Sequence, residues 1–153
     1  MDRLIAGLAL IAAAPAAAQL PEAEQTAVLA TVDAAMAAVS ARDGGQLARV
    51  MVPGGLFFRQ GPGKDGKPEA MAIPLGQMLH ALQGEQQTLK ELRVGTPIIQ
   101  IQNGLAHVWT RYTFDIAGKR AHCGTNSFSL LKMDGQWRIA SFGWTEEPEG
   151  CKQ

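Results

Sequence analysis

The sequence has few of the residues that specialised sites require. Of its 153 residues, two are cysteine and three are histidine, which leaves little material for a dedicated metal cage. Neither sign of charge is in excess, because 14 Lys and Arg balance 14 Asp and Glu. That balance argues against nucleic-acid binding, which requires a basic surface. Charged residues make up 18% of the chain and hydrophobic residues 46%, which argues against a disordered chain and indicates one globular domain.

Long hydrophobic runs are confined to the N-terminus. A charged start at residues 1–3 precedes an apolar stretch over residues 4–14, and Ala16-Ala17-Ala18 offers a small-residue cleavage site. These three parts are typical of a secretory signal peptide. A membrane anchor is the alternative, but about fifteen apolar residues fall short of the roughly 20 that span a bilayer. We therefore expect cleavage after Ala18, a mature domain over residues 19–153, and a periplasmic or secreted protein that leaves the membrane.

Export of the protein would place its two cysteines in an oxidising compartment. Cys123 and Cys151 are the only pair, and an isolated pair in an oxidising compartment usually forms a disulfide. Such a bridge would fasten the C-terminus to a strand. The alternative is a catalytic thiol, which would leave one cysteine over. We predict the structural disulfide.

The N-terminal half has helical periodicity. Apolar residues at 28, 32, 36 and 39 line one helix face, and glycine and proline clusters separate the elements. The predicted helices are Glu22–Arg42, Gly45–Val52 and Pro74–Gln83, with a strand pair Leu56–Gln60 and Pro68–Ala72 between the second and third.

The C-terminal half has the pattern of a meander. Asn103-Gly104, Ala117-Gly118 and Asp134-Gly135 are tight-turn signals between long strands. Pro97 indicates a bulge or an edge position. The predicted strands are Leu89–Gln102, Leu105–Ile116, Lys119–Lys132 and Gln136–Thr145. Strands this long should curve, so we predict an α+β domain with about three helices packed on one face of a curved antiparallel sheet.

Strand alternation assigns the side chains of this sheet to two faces. The more apolar face should point at the helices, and a bulge would invert part of the assignment. The predicted inward residues are Ala106, Val108, Thr110, Tyr112 and Phe114, then His122, Gly124, Asn126, Phe128 and Leu130, then Trp137, Ile139 and Ser141. Apolar walls with sparse polar groups suit a small-molecule pocket, whereas a closed core with satisfied polar residues is the alternative.

The second half of the chain resembles the nuclear transport factor 2-like superfamily, and within it the exported proteins called lumazine-binding or polyketide-cyclase-like. The matching segments are the A-x-V-x-x-x-Y-x-F strand from Ala106 to Phe114, the His122-Cys123-Gly124 segment and the D-G-x-W-x-I sequence from Asp134 to Ile139. The resemblance implies a cone, in which a strongly bent sheet wraps around the helices. It leaves function open, because that superfamily holds isomerases, dehydratases and cyclases as well as binding and dimerising modules.

Enzymes of this superfamily that move protons next to carbonyls place an acidic residue in the cone beside a Tyr or His. Here His122 and Tyr112 match inward positions and are the candidate acid and base, with Asn126 to orient a carbonyl. No carboxylate matches an inward position convincingly, since Asp115 has outward parity and Asp134 lies in a turn. We therefore expect a binding domain without catalysis, cofactor or metal.

The expected ligand is a small apolar or aromatic molecule, held by Tyr112, His122, Asn126, Phe57 and Trp137. An isomerase, dehydratase or cyclase is the first alternative, and a dimerising module with a filled cone is the second.

Two further features point outside the cone. Arg59 would suit a ligand carboxylate, although a solvated surface arginine is the simpler interpretation. Trp109, Arg111 and Thr113 have outward parity, and an exposed tryptophan indicates a partner surface. We therefore expect a homodimer formed through the outer sheet face.

Overall fold

Three helices pack against one face of a six-stranded sheet. The computed structural model describes residues 22–84, 86–147 and 151, so the predicted signal peptide lies outside the described residues. In chain order the elements are α1 (Glu22–Ala41), α2 (Gly44–Val50), β1 (Met51–Pro62), β2 (Pro68–Pro74), α3 (Leu75–Gly84), β3 (Leu89–Gln102), β4 (Leu105–Ile116), β5 (Lys119–Met133) and β6 (Gln136–Thr145). The predicted α+β order is confirmed, and the bounds of β3, β4 and β6 agree with the prediction.

The sheet is mixed. Its strand order is β2-β1-β6-β5-β4-β3, and the last four strands form the predicted antiparallel meander. The first hairpin joins that meander with β1 parallel to β6. A parallel contact needs a long connection, and here the chain between β1 and β6 supplies it.

Of the three helices, α1 contributes the most buried residues to the hydrophobic core. Val28, Val32 and Met36 are buried at intervals of four residues, with Ala35 and Ala38 beside them, which places one stripe of the helix against the sheet. Asp43 caps α2 by accepting a hydrogen bond from the Gln46 amide at 2.7 Å. The sheet contributes the fully buried Phe57, Val108, Phe128 and Ile139 to the same core.

Bulges bend the long strands and alter their faces. The register of β3 against β4 shifts between Val94 and Ile98, where Pro97 had predicted an irregularity. A second shift lies between β5 and β6, where Ser129 pairs with Ser141 but Leu130 pairs with Ile139. The extra residue there inverts the alternation of β6.

The prediction that Ser141 points inward is therefore wrong. Beyond the bulge Phe142 takes the inner position and is 3% exposed, while Ser141 lines a groove on the outer face. The inward positions predicted at Ala106, Val108, Thr110 and Tyr112 of β4 and at Asn126, Phe128 and Leu130 of β5 are confirmed by their burial. Phe114 is half-buried and lines the cavity on the inner face.

The predicted disulfide is present, since Cys123 is bonded to Cys151. It holds Cys151 on the outer side of β5, because Cys123 has the opposite parity to the inward His122. Within the described residues no helix is long and apolar enough to cross a membrane.

Candidate functional site

A cavity opens between helices α1 and α3 and the inner face of the sheet. Its volume is about 230 Å³, below the several hundred Å³ typical of drug-sized ligands. The lining residues are mainly apolar and include Val39, Met78, Leu82, Phe57, Phe142 and Trp144; the polar ones are Glu91, Tyr112, His122 and Glu146. This cavity is our candidate site.

The register of the meander places part of the lining in one row. Glu91 on β3 pairs with Phe114 on β4, which pairs in turn with His122 on β5. Residues directly opposite in a sheet share a face, so all three side chains point into the cone. Phe114 stacks on the His122 ring with centroids 4.9 Å apart, which restricts the orientation of the imidazole.

A short hydrogen-bond chain determines the state of His122. The Tyr112 hydroxyl donates to the Thr145 carbonyl at 2.9 Å, and the same hydroxyl oxygen lies 2.9 Å from His122 Nδ1. A hydroxyl has one proton to donate, so Nδ1 carries the proton of the second bond. The Nε2 atom of a neutral His122 is then an acceptor. Burial lowers the pKa of His122, against the opposing effect of Glu146, so the ring is neutral at pH 7.

Tyr112 is a neutral phenol in this arrangement. Burial raises its pKa, and the nearby carboxylates of Glu91 and Glu146 raise it further. Its proton is directed to a backbone carbonyl rather than to the cavity. Tyr112 therefore orients His122 and does not itself exchange a proton at neutral pH.

Gly124 makes room for the end of this chain. A Cβ at Gly124 would lie 2.0 Å from the Thr145 carbonyl oxygen, closer than any non-bonded contact allows. Only glycine at this position lets Thr145 reach the Tyr112 hydroxyl.

Glu91 is a buried carboxyl beside the cavity. It is 8% exposed, and its Oε1 accepts a hydrogen bond from Asn126 Nδ2 at 2.7 Å. Burial raises the pKa of Glu91 to about 7, although the Asn126 bond opposes the change. Asn126 is fully buried, and its Oδ1 accepts no hydrogen bond from the described part of the chain.

Glu146 is an ionised carboxylate at the same cavity. Arg59 binds it through two hydrogen bonds of 2.7 Å, and the Trp144 indole donates to it at 3.1 Å. Burial opposes ionisation, but these hydrogen bonds outweigh it and lower the pKa of Glu146. Its Oε1 lies 4.0 Å from His122 Nε2, too far for a direct hydrogen bond.

The structure brings together three of the five predicted ligand-binding residues. Phe57, Tyr112 and His122 line the cavity, and Asn126 contacts its wall through Glu91. Trp137 lies elsewhere, where its indole donates to Glu24 at 3.0 Å beside Lys132. The prediction for Arg59 named a ligand or solvent as its partner, and its partner is instead Glu146.

The sequence alone did not predict either carboxylate of the cavity, Glu91 or Glu146. Alternation in β3 favours Leu92 and Val94 as the inward residues, yet these are 46% and 38% exposed while Glu91 is buried. Glu146 follows the last residue of β6, where strand parity no longer applies. Within the described residues, no group of three or more His, Cys, Asp or Glu side chains could hold a metal ion.

The cone and its cavity define a fold with known members. No protein-family model and no curated protein sequence matches the chain. Among solved structures, a conserved protein from Planctomyces limnophilus superposes with a TM-score of 0.69 at 15% identity, covering 84% of this chain and 99% of that one. An NTF2-like protein of unknown function from Shewanella baltica gives 0.63 at 17% identity, covering 86% and 99%.

This fold is the nuclear transport factor 2-like (NTF2-like) fold, as the resemblance of the C-terminal half implied. A proposed dehydratase of the NTF2-like family from Streptomyces avermitilis superposes with a TM-score of 0.66 at 11% identity, covering 84% of this chain and 99% of that one. Similarity at these identities establishes the fold alone, so function depends on the residues of the cavity.

Proposed function

We propose that the protein binds a small, mostly apolar molecule in the cavity between α1, α3 and the sheet. The cavity itself carries this proposal: its apolar walls would bury the ligand, and its few polar groups would orient it. At about 230 Å³ the space suits a molecule no larger than one or two rings.

Ligand extraction tests this proposal. The mature protein from its own host is analysed by native mass spectrometry, and the bound molecule is released and identified. A cavity-filling Met78→Trp variant should lack the ligand, because Met78 lines the cavity. Its neighbour Gln77 is exposed on the same helix, so Gln77→Trp is the matched control and should keep the ligand. An empty wild-type protein that also shows no thermal shift with small aromatic compounds would contradict the proposal.

Proton transfer is a second candidate function, and Glu91 is the observation that favours it. A general base works best when its pKa is near the working pH, and the pKa of Glu91 is about 7. Ionised Glu91 would take a proton from a carbon next to a carbonyl and return it to the same molecule, which leaves the protein unchanged. His122 shares the cavity and would contact the other end of the ligand.

Deuterium exchange tests this candidate without a known substrate. Cyclohexanone in D₂O is followed by NMR with wild-type protein, Glu91→Gln and an exposed control, Glu22→Gln. Exchange should rise with pH through about 7, because the base must be ionised, and Glu91→Gln should abolish it. If Glu91→Gln exchanges as fast as the wild type, Glu91 is not the base.

The compartment we propose is the periplasm or the extracellular space. The Cys123–Cys151 bond suits an oxidising compartment, in agreement with the signal peptide expected over residues 1–18. The intact mass of the exported protein should correspond to residues 19–153 with two fewer hydrogen atoms than the reduced chain.

A second copy of the chain is the partner that we propose for the outer sheet face. Ile98, Trp109 and Phe58 occupy one cross-strand row there and are 62%, 47% and 44% exposed. Between them Ser127 and Gly143 form a shallow floor. An apolar row beside a floor of small residues would let two copies pack around a twofold axis.

A further inference from the structure

Above about pH 7, where Glu91 is ionised, the donors of the cavity's polar residues are already used within the protein. The Tyr112 hydroxyl donates to Thr145, and the Trp144 indole donates to Glu146. His122 Nδ1 donates to the Tyr112 oxygen, as the single proton of that hydroxyl requires. A ligand that offers only acceptors would therefore displace an internal hydrogen bond before it gained one.

One acceptor of the lining, in contrast, has spare capacity. His122 Nε2 is the acceptor nitrogen of a neutral ring and has no donor among the described residues, and Glu146 Oε1, another acceptor, lies 4.0 Å from it. Asn126 Oδ1 also accepts no bond from the described residues, but Asn126 is fully buried and lies outside the lining that a ligand meets. An apolar ligand that covered Nε2 would leave this acceptor without water or a donor, which is costly, so a ligand that brings a donor to Nε2 gains most.

The spacing of two of these acceptors suits one donor group. Hydrogen bonds to nitrogen and oxygen span about 2.7 to 3.2 Å, so an atom placed beside the 4.0 Å gap between His122 Nε2 and Glu146 Oε1 lies within reach of both. A hydroxyl or amino group there donates to Nε2. Oε1 already accepts from Arg59 Nε and the Trp144 indole, so a second N–H of an amino group is attracted by the charge of the Glu146 carboxylate and does not fill an empty acceptor site.

The same gap disfavours an anionic ligand. Arg59 is the cation nearest to Glu146, and it commits its Nε and one terminal nitrogen to the two oxygens of that carboxylate. A ligand carboxylate would face the charge of Glu146 in a site of low dielectric without a free cation among the lining residues.

We propose that the cavity selects a neutral molecule whose apolar body carries a hydroxyl or amino group directed at His122 Nε2 and Glu146, and that it rejects carboxylates. This inference rests on the proposed binding function and adds the chemical class of the ligand.

Three probes of similar size test the proposal: toluene without a donor, phenol with a hydroxyl, and benzoate with a negative charge. Dissociation constants for the mature, disulfide-bonded protein are measured by NMR titration at pH 7.5. Phenol should bind about 2- to 10-fold more tightly than toluene, which corresponds to one net hydrogen bond. Benzoate should bind more weakly than toluene. The ¹⁵N shifts of His122 should show Nδ1 protonated in the free protein and a perturbed Nε2 with phenol.

His122→Phe removes the acceptor while keeping a ring against Phe114. In this variant the preference for phenol over toluene should fall to about one, while toluene still binds. His107 lies on the outer sheet face, so His107→Phe is the matched control and should keep the wild-type preference. Should His122→Phe fail to fold, the wild-type ligand series and the nitrogen shifts still decide.

The outcomes separate the two proposals. Equal binding of toluene and phenol to the wild type, or the tightest binding by benzoate, overturns the inference about ligand class and leaves the binding function in place. Absence of binding by all three probes overturns the inference and counts against the proposed function as well.

Discussion

Replacing Glu91 by glutamine should make the protein more stable at alkaline pH and change little at acidic pH. The pKa of Glu91 rises from the ordinary 4.5 to about 7 in the folded protein because the carboxyl is buried. Each unit of pKa difference corresponds to about 1.4 kcal/mol, so ionising Glu91 costs the folded state about 3 kcal/mol. Glutamine has nearly the same shape, stays neutral, and can still accept the Asn126 hydrogen bond.

The direction of the pH dependence follows from counting the protons bound by the folded and the unfolded protein. Between about pH 4.5 and 7 the folded protein holds a proton on Glu91 that the unfolded chain has lost. Stability then falls as pH rises through this window and levels off above it. The free energy of unfolding of Glu91→Gln lacks this decline. The difference between variant and wild type should therefore move by about 3 kcal/mol in favour of the variant from pH 4 to pH 8.

Urea unfolding at several pH values, with the disulfide intact, measures this difference. Glu22→Gln is the control, since Glu22 is exposed at the start of α1 and its replacement should leave the pH profile parallel to that of the wild type. Parallel profiles for Glu91→Gln would refute the reasoning, because they would mean that Glu91 titrates in the folded protein as it does in water. The same result would remove the basis for proton transfer by Glu91.

Three further substitutions test other parts of the structure. Gly124→Ala should lower the melting temperature substantially or prevent folding, because its Cβ meets the Thr145 carbonyl. The control Gly76→Ala in helix α3 has open space and should stabilise the protein by about 0.5 to 1 kcal/mol. Equal melting temperatures of the two variants would contradict the close packing at Gly124. Cys151→Ser should cost about 3 to 4 kcal/mol in urea unfolding, because it reopens a loop of about 29 residues, and an unchanged midpoint would contradict it. Trp109→Glu should convert the proposed dimer into a monomer by light scattering, and a wild-type monomer would rule out that interface.

The fold was predictable where local signals agree with tertiary packing. Each tight turn of the meander has its own sequence signal, so the bounds of β3, β4 and β6 follow from turn chemistry and alternation. The face of Ser141 was not predictable in this way. A bulge adds one residue without any glycine or proline to mark it, and every side chain beyond the bulge changes face.

The candidate site was predictable only in its β4 and β5 portions. Tyr112 and His122 have strong inward neighbours in Val108, Phe114 and Phe128, so parity located them. Glu91 lacks that support, because the apolar Leu92 beside it has the parity expected of a core residue. The outer face of β3 is apolar for another reason, which we propose is a second copy of the chain.

In β3 the carboxyl faces the cavity and the apolar residues face outward, which is the reverse of the expected pattern. One strand therefore contributes both a polar cavity wall and an apolar exterior. Leu92 and Val94 point outward on β3 and Glu91 points inward, so one strand places exposed apolar groups outside and a carboxyl inside. Burying Glu91 costs free energy that the core alone would not require, and Asn126 offsets only part of it. Glutamine at position 91 would keep the Asn126 hydrogen bond and make a more stable cone at alkaline pH, without a titratable wall. The carboxyl at position 91 therefore lowers the stability of the fold at alkaline pH, a cost that a role in the proposed ligand binding or proton transfer would account for.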